Sequence, residues 1–179
     1  MFAKLRQRWQ DARTIMKLSL DAEKRALQEG RQHPGAEHYT LAALDLPDGS
    51  ARRVFARIGA DPEAYRAALA NRHAAALNAI GLHAAGANAA ASEAAEPDGA
   101  ASPATATLLF DAQPSGQSLM QSLPELQRRL PAPLCGAHVL LAVAAMAHSA
   151  AGRTFKAIGI DLQALGSAAE AELHSAMPS

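Results

Sequence analysis

Arg53-Val54-Phe55-Ala56-Arg57-Ile58-Gly59-Ala60-Asp61 returns 100 residues later as Arg153-Thr154-Phe155-Lys156-Ala157-Ile158-Gly159-Ile160-Asp161. Outward from this stretch, His38, Leu41, Ala42 and Ala51 recur as His138, Leu141, Ala142 and Ala151. Ala64 and Ala68 recur as Ala164 and Ala168. The two copies share 11 identities over a 31-residue window without a gap. An Ala-rich chain yields chance Ala matches, but not ordered matches of His, Arg, Phe, Ile, Gly and Asp. A duplicated helical unit whose copies pack on each other explains them. Duplication at this size favours a binding scaffold over one catalytic pocket.

The composition agrees with helices. The 179 residues suffice for one domain or two small fused halves. Aromatic residues make up only 4% of the chain. Its apolar residues are mostly Ala and Leu, strong helix formers that let helix axes approach closely. Strand-like runs of Val, Ile, Thr and Tyr are absent.

Net charge is zero, but residues 1–82 hold 13 Lys or Arg against 9 Asp or Glu, and residues 83–179 hold 4 against 8. Neither half has the concentrated basic face that nucleic acid requires. The run Lys4, Arg6, Arg8, Arg13 and Lys17 reads as a solvated helix face. Cys135 is the single cysteine, so no intramolecular disulfide forms, which fits a reducing compartment. No signal-peptide core stands at the amino terminus. The Val139–Ala147 run is too short to span a membrane and reads as a buried helix.

Helix signals divide the chain. Ile15, Leu18, Ala22 and Ala26 recur every three or four residues, predicting a first helix from near Phe2 or Ala12 to Glu29. Gly30 and the His33-Pro34-Gly35 turn end it. Further helices are expected at 36–44, 50–58 and 62–80. Gly59 closes the third, while Asp61 caps the fourth with Pro62 at its first position. Residues 83–105 lack Leu, Ile, Val and aromatics, and read as a flexible linker between units 1–82 and 106–179. The second unit is expected to have helices at 114–129, 136–147, 150–158 and 161–177. Pro124 is expected to kink or divide the first of these. Gly159 and Asp161 repeat the stop and the cap.

Gly35-Ala36-Glu37-His38-Tyr39-Thr40-Leu41 resembles the Gly-Thr-Glu-His-Leu-Leu-Leu segment in the amino-terminal domain of Clp AAA+ chaperones, particularly the ClpC type. Gly49-Ser50-Ala51-Arg52-Arg53-Val54-Phe55-Ala56-Arg57-Ile58-Gly59-Ala60-Asp61 resembles that family's Gly-x-Ala-Ala-Arg-Val-Leu-x-x-Leu-Gly-Val-Asp segment. Both recur in the second copy, so the resemblance covers roughly residues 12–72 and 108–170. It implies an all-α domain of two four-helix repeats, related by a pseudo-twofold. It also implies docking of adaptors and recognition of substrates for unfolding and proteolysis. No Gly-x-x-x-x-Gly-Lys-Ser/Thr loop is present, so the expectation is a stand-alone domain without ATPase modules.

In some ClpC proteins this domain binds phosphorylated arginine. The Glu before each repeat's His meets the guanidinium, and a Thr near the start of each repeat helps hold the phosphate. A carboxylate suits the guanidinium fork, and hydroxyls and helix-end amides suit phosphate. Here Glu37 matches, but Ala137 stands at the second position, and the Thr positions align approximately with Ala12 and Ala112. One half-site remains.

The expected partner-binding residues are Glu37, Tyr39, Arg53 and Arg153. The expected structural residues are His38, His138, Gly59, Gly159, Asp61 and Asp161. His38 and His138 lack the His-x-x-x-His pairing of a zincin, so no metal is expected, and neither is a cofactor. The chain is read as a non-catalytic, cytoplasmic protein-binding domain of bacterial quality control. Its expected partners are proteins or peptides, including Clp ATPase or protease components or their substrates, and neither nucleic acid nor membrane. The alternative is a small-ligand or antibiotic-binding decoy using the groove between repeats. A third reading, a hydrolase using Cys135 and His138, needs close approach, a third polar partner and solvent access.

Overall fold

Short-period Ala and Leu stripes become eight helices among the described residues, 2–79 and 112–176 of a computed structural model. They are α1 (Phe2–Gln28), α2 (Ala36–Leu44), α3 (Ser50–Arg57), α4 (Pro62–Ala79), α5 (Pro114–Arg129), α6 (Gly136–Ala144), α7 (Ala150–Ala157) and α8 (Leu162–Ser175). The described residues contain no strand. Helices α6, α7 and α8 each begin 100 residues after α2, α3 and α4. The expected linker, 83–105, lies outside the described residues.

Local chemistry sets the shared boundaries. Gly59 and Gly159 take left-handed φ values of 64° and 78°. Beyond them the Ala60 and Ile160 amides donate to the Phe55 and Phe155 carbonyls at 2.9 and 3.0 Å. These are Schellman closures, and the positive φ is why glycine stands there. The next helices start at once. Asp61 accepts from the Glu63 amide at 2.9 Å and Asp161 from the Ala164 amide at 3.0 Å.

One boundary differs from expectation by three residues. α6 stops at Ala144 instead of reaching Ala147, because the Ala145 and Met146 amides turn back onto the Ala142 and Val143 carbonyls. The corresponding stretch of the first unit advertises its turn with Pro47 and Gly49. Here Ala147 and Ser149 occupy those positions, and Ser149 instead caps α7 by accepting from the Gly152 amide at 3.0 Å. Pro124 does not divide α5, which runs unbroken from Pro114 to Arg129.

Helices α1–α4 and α5–α8 share one core among the described residues. Every residue of α2 is buried. α2 packs on α6, α3 on both α6 and α8, and α4 on α7. Phe55 and Phe155, 100 residues apart in sequence, meet with ring centroids 5.6 Å apart. Tyr65 stacks at 4.5 Å from Phe155 and meets Phe55 edge-on. All three rings are fully buried. Close approach is enforced at Gly136, where an added Cβ would sit 2.9 Å from the Ala43 carbonyl oxygen. No described helix is long and apolar enough to cross a membrane.

Candidate functional site

Helices α2 and α6 begin in the interior, where unpaired amides are costly. His38 occupies the third position of α2, and its Nδ1 accepts from the Gly35 amide at 2.9 Å. Its Nε2 lies 3.1 Å from Glu29 Oε2. His138 sits equivalently on α6, its Nδ1 3.4 Å from the Cys135 amide and its Nε2 3.4 Å from the Leu130 carbonyl. Both imidazoles thus tie a helix start to the preceding segment. Burial opposes the ionisation of Glu29, but the hydrogen bond from His38 and the nearby Arg31 charge outweigh it and hold its carboxyl low.

Glu37 follows from this placement. It lies in the first turn of α2, only 1% exposed. Its Oε1 receives Arg31 Nη1 at 3.3 Å, while its Oε2 is buried and has no hydrogen-bond partner. A buried carboxylate oxygen without a donor is costly and marks a place where a ligand would supply one. Glu37 borders a cavity of about 410 Å³ together with Arg31, Arg72, His73, Ser115 and Arg153. Its walls come from α4, the start of α5 and the start of α7, so the site spans both units. Arg72 is braced at 2.8 Å by both the Ala150 carbonyl and the Thr154 hydroxyl. Arg153 is anchored by its Nη1 on the His148 carbonyl. Ser115 accepts from the Ala36 amide at 3.2 Å. The Glu37 carboxylate thus shares a cavity with two anchored cations and the Ser115 hydroxyl, while the Ser149 hydroxyl donates to the Met146 carbonyl at 2.7 Å.

The same place in the other half is filled. Ala137 replaces the carboxylate, and its amide donates to Ser50 Oγ at 2.9 Å. Arg53, like Arg153, anchors on the carbonyl of the preceding turn, at Asp48, 3.0 Å away. At the position 100 residues beyond Arg72 stands Glu172. Glu172 takes Arg53 Nε at 2.5 Å and Arg57 Nε at 3.1 Å. Burial works against its ionisation, but the hydrogen bonds from Arg53 and Arg57 prevail and keep its carboxyl below the usual glutamate range.

Glu37 and Arg153 thus come together, which pairing residues within one repeat does not anticipate. Arg53 belongs to the filled position, with its Nε committed to Glu172. Tyr39 is a correction: like Glu37 it is 1% exposed, but it packs in the apolar core and does not line the Glu37 cavity, so it presents no docking surface. Sequence reasoning missed Arg72, Ser115 and Glu172. Extending the 100-residue comparison four positions past Ala68 would have exposed the Arg72/Glu172 exchange. Nothing in the sequence marked Ser115.

Cys135 Sγ does approach His138 Nδ1, at 3.4 Å. Burial pushes the thiol up and the imidazole down, opposing a thiolate–imidazolium pair. The second ring nitrogen faces a backbone carbonyl, not an orienting carboxylate. Among the described residues no cluster of His, Cys, Asp and Glu has the makings of a metal site.

Residues 16–96 match the family model described as the Clp repeat (R) N-terminal domain. No curated protein matches the chain.

Proposed function

We propose that the chain, whose residues 16–96 match the Clp repeat N-terminal domain, serves as a non-catalytic receptor for substrates or adaptors in Clp-type protein quality control. The observation that carries this reading is the buried carboxylate of Glu37, whose Oε2 has no hydrogen-bond partner among the described residues, on a cavity shared with Arg72 and Arg153. A partner guanidinium that reaches the Glu37 carboxylate would supply the missing donor, and an anionic group beside it would meet Arg72, Arg153 and the Ser115 hydroxyl. Phosphoarginine has this bipolar form. The pocket supplies it once per chain, since Ala137 and the Glu172 ion pairs occupy the equivalent place.

The test is affinity capture from a bacterial lysate with the native protein and with folded Glu37→Gln and Arg153→Ala variants. Enrichment of Clp subunits or degradation substrates that both variants lose supports the reading. Enrichment indifferent to both changes overturns it.

A second reading rests on a separate observation. An apolar cleft of about 280 Å³ lies between α1 and α5, lined by Ile15, Met120, Leu123, Pro124 and Leu134. It suits a compact apolar small molecule, the decoy alternative. Retention of the Clp-partner interactions with the cleft blocked separates the two.

A further inference from the structure

The first turns of α1 stand outside the shared core. Among the described side chains of α1, none before Leu18 is buried. Leu5, Trp9 and Met16 are each more than half exposed, with Trp9 at 71%. At 100° per residue these three fall within about 40° of the helix circumference, so they form one apolar ridge. The ridge begins upstream of the residues matched by the family model.

Arginines stand on both sides of the ridge. Arg13 and Arg6 lie about 60–80° to one side of its centre, and Arg8 about 80° to the other. All three are exposed, and none has a hydrogen bond or ion pair among the described residues. Asp11, the one acidic residue between positions 2 and 16, lies about 140° away from the ridge. It faces the body, where its Oδ1 accepts from the Leu134 amide and its Oδ2 from Gln127 Nε2, both at 2.8 Å. Further along α1 the charges balance: Lys17 is paired with Asp21 at 3.0 Å, and Glu23 stands about two turns beyond Met16. The unbalanced stretch is therefore residues 2–16, which hold Lys4, Arg6, Arg8 and Arg13 against Asp11.

We propose that this ridge seats on an anionic lipid surface. Leu5, Trp9 and Met16 enter the boundary between headgroups and acyl chains, and Arg6, Arg8 and Arg13 spread sideways onto the lipid phosphates. A convex ridge suits a deformable surface, whereas a protein partner must bring a matched groove. A tryptophan ring, apolar with a single N–H, suits the water–lipid boundary. A second copy is disfavoured in either orientation. Helices packed ridge to ridge set Arg6 of one copy beside Arg13 of the other when antiparallel about Trp9, or beside Arg8 when parallel. The expectation of no membrane partner followed the lack of a spanning segment, which a helix lying along the surface does not need. The proposal does not rest on the Glu37 pocket, to which none of these residues belongs.

Trp9 is the only tryptophan in the chain, so its emission reports on the ridge. The probe is vesicles of equal parts phosphatidylglycerol and phosphatidylcholine, titrated into the full chain, with flotation as the second readout. A saturable blue shift and co-flotation are expected, weakened about tenfold or more by Leu5→Ser and by the Arg6→Glu, Arg8→Glu pair, and weakened by added salt. Both variants change exposed side chains, and circular dichroism checks that they remain folded. Vesicles of phosphatidylcholine alone should fail. The proposal is overturned by no shift on the anionic vesicles, by equal binding to the neutral ones, or by binding indifferent to both variants. It is also overturned by a shift on polyglutamate but not on vesicles, or by a concentration-dependent shift of the protein alone with dimer in sedimentation equilibrium.

Discussion

Glu37 combines burial, one weak cationic partner and one oxygen with no donor. Residues kept for binding commonly cost the unbound fold some stability. Glu37→Gln removes a buried charge while preserving shape and an acceptor for Arg31. The expected outcome is an unfolding temperature equal to or slightly above that of the native protein, together with loss of partner binding. Thermal melts read alongside a binding titration check it. A large loss of stability would instead make Glu37 a structural residue. Arg153→Ala should spare the helix caps but weaken binding, because its anchor on the His148 carbonyl holds the guanidinium at the cavity edge.

Among the elements, the closures of α3 and α7 and the ion pairs of α8 carry distinct predictions. Gly59→Ala and Gly159→Ala each place a side chain at positive φ, with nothing within 4 Å of the added Cβ to clash. The cost is therefore conformational, about 1–2 kcal/mol each, and measurable by urea denaturation. Glu172 links α8 to α3. Its carboxyl is held low when folded, so the unfolded chain takes up the proton first as pH falls below the ordinary glutamate value of 4.5. Stability is fully present above that value and is lost as pH falls toward the folded one. Glu172→Gln should lower stability near neutrality by about 1 kcal/mol, discounted for the half-exposed arginines, and flatten the acid limb of the stability profile. Unchanged acid sensitivity would show that Glu29 and Asp45, also held low, dominate it.

Across the whole molecule, Phe55 and Phe155 join the halves. Their rings meet in one buried cluster with Tyr65, so the halves should unfold in a single transition. Phe55→Ala and Phe155→Ala are each expected to cost about 3–5 kcal/mol, with a coupling of about 0.5–1.5 kcal/mol in a double-mutant cycle. Two separate transitions would contradict a shared core. The sequence made the all-α architecture and most helix boundaries legible, because glycine stops, Asp caps and apolar spacing are local signals. The end of α6 was hidden, since Met146-Ala147-His148 holds neither Pro nor Gly. The candidate site was only partly legible. Glu37 and Arg153 could be named singly, but their meeting depends on which repeat faces which. Tyr39 looked like a surface residue because nothing local reveals that α2 is covered on every side.

The proposed function assigns each chain one open recognition pocket, at Glu37, with the equivalent place taken by Ala137 and the Glu172 ion pairs. Calorimetric titration with an arginine-phosphorylated peptide, alongside its unphosphorylated form, tests it most directly. The prediction is one peptide per chain, preference for the phosphorylated form, and loss of binding in Glu37→Gln but not in Arg53→Ala. Two sites per chain, no binding, or binding indifferent to Glu37→Gln would contradict it.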